Sequence, residues 1–113
     1  MSLLETLKFK MPVHPVTLTG ATTPVYVRQM TAAQAEEHAK EVEGMTDASK
    51  VYTRLASLVA RCLCDADGNL LCQQDGVNQV LQLGTDAVVS LYEACAAVNG
   101  FRPGAVEDAA KNL

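Results

Sequence analysis

Tryptophan is absent from these 113 residues, and all aromatics together make up 4% of the chain. A core without large rings has to be built from Ala, Val and Leu, a set that suits close helix packing. Positive charge is also scarce: nine Lys and Arg stand against thirteen Asp and Glu, for a net charge of −4. Phosphate backbones demand clustered cations, so nucleic acid is not expected as a partner. No window approaches the ~20 apolar residues that a membrane span needs. Met1 to Glu5 brings in a carboxylate before any long apolar run, unlike a secretion signal. No membrane partner is expected, and the cytoplasm is the expected location.

Motifs that carry chemistry are missing too. The four cysteines are Cys62, Cys64, Cys72 and Cys95. Structural zinc usually recruits two CxxC-like pairs. Here the only close pair is Cys62-Leu63-Cys64, with neither His14 nor His38 near it in sequence. Small buried hydrophobes are the simpler reading of these thiols. A reactive thiol would need an activating environment, and no cysteine here sits in a sequence-local activating motif, which leaves open a partner brought close by the fold. The acidic segment from Asp65 to Asn69 fails as a calcium loop, which requires Gly at its sixth position and Glu at its twelfth. Counting from Asp65, those positions hold Leu70 and Gly76. No phosphate-binding glycine loop and no serine elbow occurs. Catalysis, cofactor and metal are therefore not expected.

What is present is pattern. The length fits one domain, and 49% of the residues are hydrophobic. A positive mean hydropathy in so small a chain leaves apolar surface to be covered, and self-association is one way to cover it. Ser2-Leu3-Leu4-Glu5 reads as a capping box that opens a short helix with Leu3, Leu4 and Leu7 on one face. Prolines 12 and 15 end it. Val16 to Thr19 and Val25 to Val27 are β-branched runs around a Gly- and Pro-containing connection, the signature of a β-hairpin. His14, between two prolines, reads as a surface histidine.

Thr31-Ala32-Ala33-Gln34 is a second capping box. Its helix carries Ala32, Ala35, Ala39 and Val42 on one face and Glu36, Glu37, Lys40 and Glu41 on a solvated one, with His38 at the seam. Gly44 stops it. Asp47 caps the longest helix, from about Ala48 to Cys64, whose stripe is Val51, Leu55, Leu58, Val59 and Cys62. Lys50, Arg54 and Arg61 lie off that stripe, where they bridge to neighbouring carboxylates or face water. Asp67-Gly68-Asn69 is a turn flanked by short extended pieces at Cys64 and Leu70-Leu71. Asp75 then caps a helix holding Val77, Val80 and Leu81, ended by Gly84. Thr85 caps the last, with Val88, Leu91, Tyr92, Cys95 and Val98 inward, and Gly100 is its C-terminal glycine. The expected fold is mainly α: one small helical domain over residues 1–100 with an N-terminal β-hairpin and a hairpin-like turn between helices. Residues 101–113 are expected to form a flexible tail.

Read in order, these segments resemble a known family. Leu58 to Leu71 (LVARCLCDADGNLL) is similar to the helix and Asp-Gly-Asn turn of tail assembly chaperones from long-tailed, lambda-like bacteriophages and prophages. Gln74-Asp75-Gly76-Val77 stands where that family starts an acidic helix. Ala94 to Gly100 resembles its "A-x-x-L-N-G" helix end, with Val98 in place of Leu. Val25 to Ala33 resembles its "V-x-V-R-E-L-T-A" segment, with Gln29 in place of the acidic residue. The likeness runs from about Val25 to Gly100. It implies a viral protein of the host bacterial cytoplasm that is not an enzyme. Such a protein binds the tape-measure protein, keeps that long helical chain soluble and promotes polymerisation of tail tube subunits around it. It also implies a homo-oligomer and a longer product, made by a programmed frameshift, that meets the tail tube protein. Ala110-Lys111-Asn112 can be encoded across a slippery heptamer, A AAA AAC. The residues assigned to protein contacts are Leu3, Leu4, Leu7 and Phe9 in front, and Phe101 and Arg102 behind. A structural head–tail connector or tail-terminator subunit of the virion is the alternative.

Overall fold

The structure is a computed structural model and describes residues 11–72 and 75–100. It is mainly α, with a small antiparallel sheet at the front. The described elements are β1 (His14–Val16), β2 (Val25–Val27), α1 (Ala32–Glu43), a 3-10 turn (Ala48–Lys50), α2 (Val51–Cys62), β3 (Leu63–Cys64), α3 (Gly76–Leu81) and α4 (Thr85–Val98). The expected front helix with its contact residues Leu3, Leu4, Leu7 and Phe9, and the tail with Phe101 and Arg102, lie outside the described residues.

The hairpin forms, but its first strand begins earlier than the β-branched run. His14 pairs with Val27 and Val16 with Val25. Thr17 to Thr19 leave the ladder because the chain must turn there: Ala21 N–H bonds Leu18 C=O at 3.0 Å, with Gly20 at φ +85°. Pro15 is tolerated because β1 is an edge strand, where a missing N–H costs no ladder bond. His14 is exposed, as read from the sequence.

The main departure is the sheet itself. β3 pairs with β2 through Tyr26–Cys64 and Val27–Leu63, and Leu70 bridges Cys64 on the far side. The hairpin and the hairpin-like turn are therefore one sheet of order β1-β2-β3. In the turn, the Asp65 carboxylate accepts the N–H groups of Asp67 at 2.9 Å and Asn69 at 3.0 Å, and Gly68 takes φ +87°. Asn69 keeps a negative φ, so glycine alone supplies the left-handed step.

Helix α2 is the hub, packing on α3, α4 and α1. Ala56 to Ala60 and Cys62 are all buried, so no single stripe describes it. Val51, expected inside, is 36% exposed because the helix starts beyond the edge of the core. From α4 come Val88, Leu91, Cys95 and Ala96; Tyr92 and Val98 are half-buried against them. Thr31 forms both halves of its capping box. Asp47, expected to cap the longest helix from Ala48 to Cys64, caps only the 3-10 turn through Ser49 N–H at 3.0 Å. Helix α2 itself begins at Val51 behind Lys50 and ends at Cys62, where the chain enters β3.

Other local expectations need correction. Asp75 makes no capping bond; its carboxylate accepts the Asn78 side-chain amide at 2.7 Å instead. Thr85 is the first residue of α4, behind Gly84 as N-cap, and α3 already ends at Leu81. The alanine face of α1 is not a buried face: α1 has no buried residue, and Ala32 and Ala39 are exposed. Its inward side is Gln34, Ala35, His38, Glu41 and Val42, all half-buried, so α1 attaches mainly through polar groups.

Gly76 explains how α3 comes so close to α2. A Cβ there would lie 2.9 Å from the Cys72 Cβ and 3.1 Å from the Ala60 Cβ.

Candidate functional site: a polar seam beside an acidic cleft

The polar attachment of α1 centres on Ser57, which is fully buried in mid-α2. One turn on, Arg61 donates from Nη1 to Ser57 Oγ at 2.9 Å and to Ser57 C=O at 3.0 Å. From α1, His38 Nδ1 stands 2.8 Å from the same hydroxyl. Glu41 takes the Arg61 fork through two contacts, at 3.4 Å from Nη1 and 3.3 Å from Nη2. Arg61 Nε is buried without a hydrogen-bond partner, and Glu37 is its nearest counter-charge at 3.9 Å.

This geometry sets the charge states. Burial, then the adjacent Arg61 guanidinium, hold His38 below its ordinary value, against a weaker pull from Glu41. Burial pushes Glu41 up, but the hydrogen bonds from Arg61 and Ser57 and the Arg61 charge outweigh it, leaving the carboxyl below its usual range. A neutral imidazole and an ionised carboxylate thus share one serine hydroxyl. The group looks like a nucleophile with a base, but Ser57 has no exposed surface and its oxygen already accepts Arg61. No reacting atom could approach it, so the arrangement orients α1 on α2.

The outer wall of this seam opens into a cleft of about 270 Å³. Gln34, Glu37 and Glu41 form its acidic side, Arg61 and Ala60 its back, and Leu70, Cys72, Gly76 and Val77 its apolar side. Cys72 is half-buried there, whereas Cys62, Cys64 and Cys95 are buried in the core. Burial pushes the Cys72 thiol up, which keeps it protonated near neutrality.

A second polar junction lies at the far end of the core. Asn99, at the end of α4, accepts Met30 N–H through its side-chain oxygen at 2.9 Å. Its amide donates to Cys95 C=O at 2.7 Å and to Cys62 Sγ at 3.4 Å. Cys62 also adjoins the Cys95 thiol; that contact, with the Asn99 amide, holds Cys62 below its ordinary value despite burial. Cys95 is pushed up, first by Cys62 and then by burial.

Sequence reading placed His38 at the boundary of α1's faces and Arg61 among side chains that bridge to carboxylates, as found. It put Glu41 on the solvated face and gave the buried Ser57 no role. Ser57 and Arg61 at i and i+4, facing His38 and Glu41 at i and i+3, were the available signal. Among the described residues, no group of three or more His, Cys, Asp or Glu could hold a metal, and no helix is long and apolar enough to cross a membrane. The chain matches no family model, no curated protein and no solved structure.

Proposed function

We propose that this chain is a tail assembly chaperone of a long-tailed phage or prophage, one that binds the tape-measure protein and keeps it soluble while tube subunits polymerise around it. The observation that carries the reading is where the family-like residues fall. Asp65 to Asn69 build the turn that seats β3, and Asn99-Gly100 lock the end of α4 to the start of α1. The resemblance is thus spent on framework positions, as expected of a protein that holds a client rather than transforms one. The half-attached acidic helix α1 and the cleft beside it offer surface for protein contacts.

Co-expression with the neighbouring tape-measure gene product tests this reading. The client should stay in the supernatant with this chain present and sediment without it. Purified virions should lack the chain; its stoichiometric presence there would favour the connector or terminator alternative. The gene adds a further check, because a slippery heptamer across the codons for Ala110 to Asn112 would supply the longer product that meets the tail tube protein.

A further inference from the structure

The cleft has two walls of unlike construction. Its apolar wall is fixed: Leu70 is bridged to Cys64 of β3, and Gly76 holds α3 so close to α2 that a Cβ there would lie 3.1 Å from the Ala60 Cβ. The opposite wall, Gln34, Glu37 and Glu41, belongs wholly to α1, a helix of 12 residues with none buried. An element with so little buried apolar surface opens locally at a lower free energy than the core.

The attachment of α1 is also uneven along its length. Its leading end is pinned to α4, by Met30 N–H to the Asn99 side-chain oxygen at 2.9 Å and by Gln29 Nε2 to Val98 C=O at 3.1 Å. Beyond its other end, residues 44–47 carry neither helix nor strand. Between those ends, among the described residues, the hydrogen bonds and ion pairs from α1 to α2 all converge on Ser57 and Arg61.

A proton on His38 works against that point of convergence. His38 Nδ1 and Arg61 Nη1 lie 2.8 Å and 2.9 Å from one oxygen, Ser57 Oγ, so an imidazolium would face a guanidinium across a single atom. Ser57 is fully buried, and two cations repel strongly where water is excluded. Arg61 is the charged group that acts on His38 from α2; Glu41, on its own helix, pulls the other way but is already engaged by the Arg61 fork. Burial and Arg61 outweigh Glu41 in the closed arrangement. With α1 lifted away, water solvates the imidazolium instead.

We infer that α1 is a hinged wall of the cleft, closed while His38 is neutral and released outward about its pinned leading end when His38 takes up a proton. Release widens the cleft and uncovers Ala60 and Val77 while α2, α3 and α4 stay packed. The device needs no client, so its failure and the failure of the chaperone reading are separate results.

Native-state amide exchange on the full chain, from about pH 7 to about pH 5 and corrected for intrinsic rates, tests it. The amides from Ala35 to Val42 should exchange through one shared opening that responds weakly to denaturant, far more often than α2 and α4 unfold. Below about pH 6.5, the ordinary value for His38, the opening constant should rise by at most tenfold per pH unit, because one proton is taken up. Cys72 lines the cleft and gives a second readout. Its labelling by a pyridyl disulfide reagent, which stays reactive in acid, should rise about tenfold over the same range relative to His38→Gln at each pH. His38→Gln should flatten the exchange profile, and His14→Gln, at an exposed position, should leave it intact. Exchange of α1 only through global unfolding with α2 and α4, an opening constant indifferent to pH, or equal profiles for the native chain and His38→Gln would each overturn the inference.

Discussion

The side-chain oxygen of Asn99 accepts the backbone N–H of Met30 at 2.9 Å, joining the end of α4 to the residue before the cap of α1 across 69 positions of sequence. Gln29 Nε2 adds a bond to Val98 C=O at 3.1 Å. The last turn of one helix therefore sets where another begins.

Asn99→Ala should cost about 1–3 kcal/mol, because the substitution leaves the half-buried Met30 N–H without its acceptor. Asn99→Asp should cost less, keeping that acceptor while losing the donations to Cys95 C=O and Cys62 Sγ. Urea unfolding midpoints at constant m-value check the order of the two.

Gly76→Ala opposes a helix-propensity gain to a steric clash. The added Cβ would sit inside contact distance of Cys72 and Ala60. Overpacking of this kind typically costs ~1–3 kcal/mol, against a propensity gain of about 1 kcal/mol at most for leaving glycine. Net destabilisation is the expected result in thermal unfolding, and a more stable variant would show that α3 slides freely on α2.

Arg61→Met keeps the aliphatic stem and removes every donor. Ser57 loses two bonds and Glu41 its only close counter-charge in the described seam. Charge-assisted hydrogen bonds are worth ~1.5–3 kcal/mol, and the partial exposure of Glu41 places the expected loss near the lower end of that range. Amide hydrogen exchange should show α1 opening well before α2 and α4 in this variant.

Acid should loosen the same seam in two steps. His38 sits below its ordinary 6.5, so below that pH the unfolded chain takes up a proton that the folded chain refuses. Stability is intact above about 6.5 and declines as pH falls toward the lowered folded value. Glu41, also lowered, adds a second decline that begins below its ordinary 4.5. Unfolding free energies measured from about pH 7.5 down to about pH 3 should show both limbs. His38→Gln should erase the upper limb and leave the lower.

Thiol reactivity separates the cleft from the core. In dilute native protein Cys72 should react first, while the buried Cys62, Cys64 and Cys95 wait for unfolding. Their labelling rate should track the global unfolding equilibrium under denaturant.

Much of the fold was legible along the chain. The Thr31 capping box, the Asp47 cap, the glycine at position 100 and the inward Val88, Leu91 and Cys95 are all patterns within a few residues. Less was legible where two rules competed. Alanines on α1 suggested a buried face, yet the helix attaches through His38 and Glu41 because α2 offers Ser57 and Arg61 on that side. Val51 fitted the period of α2 but lies beyond the elements that cover the rest of it.

By itself the sequence determined that helices would form at about these places, that their apolar residues would meet, and that Gly68 would turn the chain. Those outcomes rest on steric and hydrogen-bonding preferences that act over one or two turns. Tertiary structure alone decided that β3 completes the front hairpin, that Arg61 binds Glu41 twenty residues away, and that Leu70, Cys72 and Val77 face Glu37 across a cleft. Those contacts join residues whose separation carries no periodic signal, so they are set only when the packing of α1, α3 and α4 around α2 brings them together.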